Sequence, residues 1–192
     1  MKKLAVLVSG SGTNLQSIID SIKCGELKDT KVEIVISNKK EAYALKRAEL
    51  EGIKNLFLNP KEFNSSLEYD KELVEVLKEH NIDLIVLAGY LKILTEYFVN
   101  AFLNKIINIH PALLPSFGGK GMYGEKVHKA VLESKVKETG CTVHFVTSEV
   151  DGGPIITQRK VGVLEGDTIS SLAKRVLEKE HELLIEAIKK II

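Results

Sequence analysis

The stretch IINIHPALLP, residues 106–115, indicates the fold class. Its first residues are typical of a buried β-strand, which ends where Pro111 has no backbone N–H to donate. Because side chains alternate along a strand, Asn108 and His110 project to one side, about 6.6 Å apart, and the isoleucines to the other. Such apolar strands lie in parallel sheets that bind ligands beyond their carboxyl ends. The stretch therefore predicts an α/β protein with two polar side chains at the binding edge.

Strand patterns recur along the chain and alternate with helical ones. Strands are expected at residues 4–8, 32–36, 55–58, 83–88, 106–110, 140–146 and 155–159. A chain of 192 residues accommodates one such domain with a full core. We expect a single domain over residues 1–192, with a Rossmann-like, mostly parallel central sheet flanked by helices on both faces.

Composition excludes several classes of partner. The formal net charge of +1 argues against binding to nucleic acid or to a membrane surface by bulk electrostatics. The apolar run at residues 4–8 is too short for a signal-peptide core or a transmembrane span. Cys24 and Cys141 form no CxxC pair and are expected to be free thiols in a reducing compartment. These features predict a cytoplasmic protein.

The loop SGSGTN, residues 9–14, follows the first strand and precedes a helix. Gly10 and Gly12 allow a tight turn and close approach of a ligand, while Thr13 or Asn14 can cap the helix, whose free N–H groups favour an anion. Phosphate is the natural candidate, and the alternative is a βα turn that needs glycine only for geometry. Leucine stands at the third glycine position of a dinucleotide fingerprint, and no P-loop Gly-Lys-Ser/Thr follows.

Weaker signals lie elsewhere. Glu180 interrupts the apolar face of the last helix, so it should meet either ligand hydroxyls or a lysine partner. The segment 89–94 can wall a flat apolar ligand or pack against the next helix. Asp151 can simply open an Asp-Gly turn, and gains interest only beside His110. Lys39 and Lys40 leave an NADP enzyme as a rival, since they could meet a 2′-phosphate.

Six blocks, in order and spread over nearly the whole chain, resemble the folate-dependent formyltransferases. They are SGSGTNLQ (9–16), LAGY (87–90), NIHPALLP (108–115), GCTVHFV (140–146), DGGP (151–154) and EH (180–181). The resemblance implies transfer of a formyl group from the cosubstrate 10-formyltetrahydrofolate to the primary amine of glycinamide ribonucleotide, in de novo purine biosynthesis.

The resemblance also implies roles for individual residues. A trio is implied in catalysis: Asn108, His110 and Asp151. The ribonucleotide is expected at the glycine loop, for its phosphate, and at one carboxylate, for its ribose: Gly10, Ser11, Gly12, Thr13, Asn14 and Glu180. The folate is expected at an apolar segment and a loop: Leu91, Lys92, Ile93, Leu94, Val146, Thr147 and Asp151.

The chain departs from the family pattern at three positions. Leu177 stands where a basic or amide residue often contacts the phosphate, so Lys174 or Lys179 substitutes or the contact is absent. Lys92 replaces a common arginine, and Ser66 stands where some members have an arginine near the folate tail. These changes concern ligand affinity rather than the chemistry.

The implied reaction suits these residue types. The substrate brings its own amine nucleophile, so no activated serine or cysteine and no metal is required. Asn108 and a protonated His110 can stabilise the tetrahedral oxyanion. Asp151 can orient His110 and help relay a proton from the amine to the departing folate nitrogen.

Two alternatives remain open. A 10-formyltetrahydrofolate hydrolase could share the trio, and a non-catalytic nucleotide-binding module could use the glycine loop alone. A tRNA formyltransferase is disfavoured because the chain lacks the length and basic surplus for a tRNA-binding extension. Sequence does not distinguish a monomer from a homodimer, since an apolar interface resembles core.

Overall fold

A computed structural model describes all 192 residues, Met1 to Ile192. The strands are β1 (Lys2–Val8), β2 (Thr30–Ser37), β3 (Lys54–Phe57), β4 (Leu84–Leu87), β5 (Ile106–His110), β6 (Glu138–Phe145) and β7 (Ile155–Gly162). The helices are α1 (Thr13–Lys23), α2 (Tyr43–Leu50), α3 (Ser66–Glu79), α4 (Glu96–Ala101), α5 (Glu125–Glu133) and α6 (Ile169–Ile191). All seven predicted strands are present, with ends that differ by a few residues.

The strands form one sheet with the order β3-β2-β1-β4-β5-β6-β7. β1 pairs in parallel with β2 and β4, and β2 pairs in parallel with β3. The last strand, β7, runs antiparallel to its neighbour, β6. The predicted α/β fold with a Rossmann-like, mostly parallel sheet flanked by helices is therefore confirmed.

Two compact units divide the chain, Met1–Ile107 and Asn108–Ile192. In the first, the side chains of residues 4–8 in β1 are fully buried, and α2 packs against β2 and β3. In the second, α6 packs against β6, β7 and α5. The expectation that residues 1–192 form a single domain stays a prediction.

Helix α1 begins differently from the prediction. Its N-cap is Gly12, in the left-handed conformation with φ of 73°, and no side chain caps it. The prediction that Thr13 or Asn14 caps the helix is therefore wrong, because both residues already belong to the helix. At this cap no side chain competes with a ligand for the N–H groups at the start of the helix.

Helix α6 has a side-chain cap. Thr168 is its N-cap and forms a capping box with Ser171. The preceding Asp167 accepts two hydrogen bonds from the Arg175 guanidinium, which lowers the pKa of that carboxyl. Neither α6 nor any other helix combines the length and apolar character that crossing a membrane requires.

Candidate active site

Strand β5 carries Asn108 and His110 at its carboxyl end. His110 is buried with 3% of its surface exposed, while Asn108 is partly buried. The neighbouring Ile107 and Ile109 are buried on the other side of the strand. The alternation predicted from sequence therefore leaves an amide and an imidazole together in a largely dry environment.

Asp151 lies between these two side chains. Its Oδ1 accepts a long hydrogen bond of 3.4 Å from Asn108 Nδ2, and its Oδ2 lies 3.5 Å from His110 Nδ1. Asp151 has a φ of 56°, a left-handed conformation that aspartate tolerates better than most residues. The structure thus brings together the three residues that the sequence named, including the aspartate whose interest depended on reaching His110.

His144 is a fourth member of this cluster. Its Nδ1 bonds the Phe145 carbonyl at 2.9 Å, so Nδ1 carries the hydrogen and Nε2 of the neutral ring is an acceptor. Nε2 accepts from Asn108 Nδ2 at 3.1 Å and lies 3.5 Å from Asp151 Oδ1. No role for His144 was predicted, although its position on β6, two residues after Thr142, repeats the spacing of the polar pair on β5.

The glycine-rich segment 118–124 and the residue before it also contact the cluster. His110 Nε2 donates to the Phe117 carbonyl at 2.9 Å, and the Gly119 N–H donates to Asp151 Oδ2 at 2.9 Å. A side chain at Gly118 would press on Leu114 and lie 3.3 Å from the Asp151 Cβ. Both ring nitrogens of His110 are therefore engaged in this structure. Neither backbone contact could be read from the sequence.

Two polar side chains hold the turn that follows β5. The Thr142 hydroxyl donates to the Ala112 carbonyl at 2.7 Å and accepts from the Leu114 N–H at 3.1 Å. Gln158 Nε2 bonds the Leu114 carbonyl and the Thr142 hydroxyl, each at 2.9 Å. This buried network fixes the chain immediately after His110.

Burial and charge set the protonation of the cluster. Burial lowers the pKa of His110 more than the neighbouring Asp151 carboxylate raises it. Burial alone would raise the pKa of Asp151, but the neighbouring His144 and His110 rings and the Gly119 N–H together lower it. Desolvation thus disfavours the imidazolium form of His110 in spite of its carboxylate partner, and the protonated His110 stays a prediction.

In the first unit, the glycine loop packs against α2. The Gly10 carbonyl accepts from the Ala44 N–H at 3.2 Å, and Arg47 Nε donates to the Ser11 carbonyl at 2.8 Å. A Cβ on Gly12 would lie 2.6 Å from the Ala44 Cβ. Glycine is therefore required at position 12 both by the left-handed φ and by contact with α2.

The segment proposed for folate has no regular secondary structure and is held by side chains of the same unit. The Ser9 hydroxyl accepts from the Leu91 N–H at 2.8 Å, and Lys92 Nζ donates to Ser66 Oγ at 3.0 Å. Lys92 also lies over the Tyr69 ring. Leu91 and Ile93 are about half exposed, at 50% and 54%. Covering their apolar surface with a ligand would lower the free energy.

The remaining predicted residues lie in the loop after β6 and on α6. Val146 and Thr147 are partly buried, and Glu180 is buried on α6. Lys179, a candidate phosphate contact, donates to both carboxylate oxygens of Glu182. No group of three or more His, Cys, Asp or Glu side chains is arranged to hold a metal ion.

Comparison with known proteins identifies the family. Residues 2–188 match the family described as formyl transferase. The chain belongs to the formyl transferase family. Membership confirms the resemblance drawn from the six sequence blocks.

Individual members of the formyl transferase family are similar over nearly the whole chain. The chain is 46% identical to the chloroplastic phosphoribosylglycinamide formyltransferase of Arabidopsis thaliana, over 97% of this chain and 64% of that protein. It is 44% identical to the phosphoribosylglycinamide formyltransferase of Haemophilus influenzae, over 98% of this chain and 86% of that protein. It thus spans just under two thirds of the first relative and most of the second.

A solved structure gives the same result. The glycinamide ribonucleotide transformylase 1 of Symbiobacterium toebii superposes with a TM-score of 0.92, at 45% identity, over 98% of this chain and 86% of that one. The formyl transferase fold is therefore shared throughout the chain.

Proposed function

We propose that this chain transfers the formyl group of 10-formyltetrahydrofolate to the amine of glycinamide ribonucleotide, a step of de novo purine biosynthesis. The observation that carries the proposal is the buried cluster in which Asp151 contacts both Asn108 and His110. Membership of the formyl transferase family and the names of the relatives from H. influenzae and S. toebii support the substrates.

The nucleophile in this reaction is the amine of the substrate. Burial raises the pKa of the Cys141 thiol to about 12, so it is not a thiolate at neutral pH. Cys24 is exposed and is not among the contacts of the cluster. Direct attack by the amine therefore needs only groups that bind, orient and move protons.

Asn108 is the donor for the oxyanion that forms on the formyl group. Its amide N–H groups are shared between His144 Nε2 at 3.1 Å and Asp151 Oδ1 at 3.4 Å. The longer bond is the weaker one, so this N–H turns to the developing charge of the tetrahedral intermediate. A donor of this kind contributes about 3 kcal/mol to barrier lowering.

His110 and Asp151 transfer the proton from the amine to the folate nitrogen. As the new N–C bond forms, the amine must lose a proton, and the folate nitrogen must gain one when its bond to the formyl carbon breaks. A neutral His110 can accept that proton, and the Asp151 carboxylate 3.5 Å away stabilises the resulting imidazolium. No proton is gained or lost overall.

Substrate binding is assigned mainly to residues outside this trio, with Asp151 shared between catalysis and folate binding. The loop of Gly10, Ser11, Gly12, Thr13 and Asn14 binds the substrate phosphate through backbone N–H groups, and Glu180 binds the ribose hydroxyls. The folate is bound by Leu91, Lys92, Ile93, Leu94, Val146, Thr147 and Asp151. The half-exposed apolar side chains of Leu91 and Ile93 support this assignment, because a flat pteridine ring would cover them.

The cellular setting and assembly are part of the same proposal. A net charge of +1 supports small-molecule substrates rather than nucleic acid or a membrane surface as partners. Two free cysteines support the cytoplasm as the compartment. We expect one domain over residues 1–192, acting as a monomer or homodimer.

One assay tests the function. The protein is incubated with 10-formyltetrahydrofolate, and free tetrahydrofolate is followed with and without glycinamide ribonucleotide. Release that requires the amine supports the transferase. Release without the amine would indicate a hydrolase, and no release in either case would leave a non-catalytic binding module.

A further inference from the structure

The glycine loop directs two backbone N–H groups away from α2. The carbonyls of Gly10 and Ser11 are bonded by the Ala44 N–H and by Arg47 Nε. In a trans peptide the C=O and N–H point in opposite directions, so these two bonds aim the N–H groups of Ser11 and Gly12 away from α2. Both N–H groups donate to no group of the protein. Consecutive free N–H groups of this kind form a concave site for an anion.

Arg47 is held in a fixed position behind this loop. Besides the bond from Nε to Ser11, one terminal nitrogen donates to Gln16 Oε1 at 3.0 Å, on the first turns of α1. The guanidinium also lies over the Tyr43 ring, 5.0 Å from its centre. The planar group therefore connects α2, the loop and α1 through donors with a defined geometry.

The charge of Arg47 distinguishes it from the other two arginines of the chain. Arg159 pairs with Glu182 and Glu186, and Arg175 pairs with Asp167. Arg47 forms hydrogen bonds and a ring contact but no ion pair with a carboxylate. A positive charge that no carboxylate neutralises therefore lies directly behind two unpartnered N–H groups.

We propose that Arg47 is the cation of the phosphate site, acting as a positioning residue through the glycine loop. It holds the Ser11 carbonyl so that the Gly12 N–H faces the anion, and it supplies the positive charge that Leu177 lacks. Lys179 is a weaker candidate, because its ammonium group is already bonded to Glu182. The inference deepens the proposed function by naming what tunes the phosphate site.

Kinetics separate this role from a merely structural one. Arg47→Met should raise the KM for glycinamide ribonucleotide about 10-fold or more, since a charge-assisted arrangement is lost, while kcat and the KM for the folate change little. Arg47→Lys should fall in between, because it keeps the charge without the planar fork. Lys46→Met, which removes a charge from the exposed face of the same helix, is the matched control and should behave as wild type.

A substrate without the phosphate sharpens the kinetic test. With glycinamide riboside, wild type and Arg47→Met should have the same KM, because the group that Arg47 serves is absent. If Arg47→Met impairs the riboside as much as the ribonucleotide, Arg47 only supports the fold, and the proposal is overturned.

Inorganic phosphate tests the site without turnover. Wild type should show a saturating shift of the Gly12 amide resonance on titration with phosphate, with affinity about 10-fold weaker in Arg47→Met and unchanged in Lys46→Met. Equal affinity in wild type and Arg47→Met would refute the role of Arg47 and leave the proposed function standing. No response in wild type would refute both Arg47 and the loop as a phosphate site, whereas failure of the formyl-transfer assay alone would refute only the reaction.

Discussion

The cluster around Asp151 and the loop at Gly12 are prepared for ligands in opposite ways. In the cluster, Asn108 and His110 are buried or partly buried and already bonded to protein groups. In the loop, the carbonyls of Gly10 and Ser11 are bonded, whereas the N–H groups of Ser11 and Gly12 donate to no protein group. In the cluster, a substrate must displace protein acceptors from the hydrogen-bond donors. In the loop, the N–H groups of Ser11 and Gly12 have no protein acceptor to displace. Changes in the cluster should therefore act on turnover, and changes in the loop on affinity.

Asp151→Asn should have the largest effect. The variant keeps the shape of the side chain but removes the charge that stabilises the His110 imidazolium, so kcat should fall roughly 100-fold or more while the fold persists. Initial rates at saturating substrates measure this. Asp29→Asn is the matched control, because Asp29 is also in a left-handed conformation but is exposed and distant in sequence from the cluster. Near-normal turnover of Asp151→Asn would remove the carboxylate from the mechanism.

Asn108→Ala should have the second-largest effect on kcat. Loss of the oxyanion donor should lower kcat by roughly 100-fold, with a smaller change in KM for either substrate. Asn100→Ala, at an exposed position of α4, controls for the loss of an amide. A purely raised KM, with kcat preserved, would show that Asn108 binds the ground state instead.

Gly12→Ala probes the other region and should act on affinity. The new Cβ must adopt a left-handed φ and displace α2 at Ala44, so the unfolding free energy should drop by about 1–3 kcal/mol. The KM for the ribonucleotide should rise, because the N–H groups lose their alignment. Gly25→Ala is the control, because Gly25 has a similar φ of 78° but open space around it. It measures the backbone strain without the clash with Ala44. Gly12→Ala with an unchanged KM would contradict the role of the loop.

The last expected effect is on stability at low pH, with no change in turnover or affinity at neutral pH. Burial lowers the pKa of His110, His128 and His181 below their ordinary value. Below about pH 6.5 the unfolded chain therefore binds more protons than the folded chain. The stabilisation is complete above about pH 6.5 and is lost as the pH falls, at up to about 1.4 kcal/mol per pH unit for each histidine. Urea unfolding between pH 7.5 and 5 should show this slope, and His128→Gln should flatten it. An unchanged slope in that variant would mean that His128 is not buried in its neutral form.

Most of what could be predicted from the sequence came from residue patterns within single strands and helices. The alternation of β5 was enough to place Asn108 and His110 on the same side of the strand. The start of α1 was predicted less well, because the left-handed φ of Gly12 depends on its contact with α2. Propensity alone favours a side-chain cap there.

Local sequence patterns could not predict contacts between segments that are distant in the chain. Asp151 follows His110 by 41 positions, and only the family resemblance suggested that they act together. His144 was missed because a histidine inside an apolar strand resembles an ordinary core residue. The Gly119 N–H and the Phe117 carbonyl are backbone groups, whose partners depend on the path of the glycine-rich segment rather than on any residue type.

The affinity of Asp151→Asn for inorganic phosphate tests the division between the two regions most directly. The Gly12 amide resonance is followed during phosphate titration of the variant and of wild type, beside their turnover. This division predicts a variant that has lost turnover but binds phosphate within about twofold of wild type, since sites without shared partners act independently. Phosphate affinity that falls in parallel with turnover would contradict it.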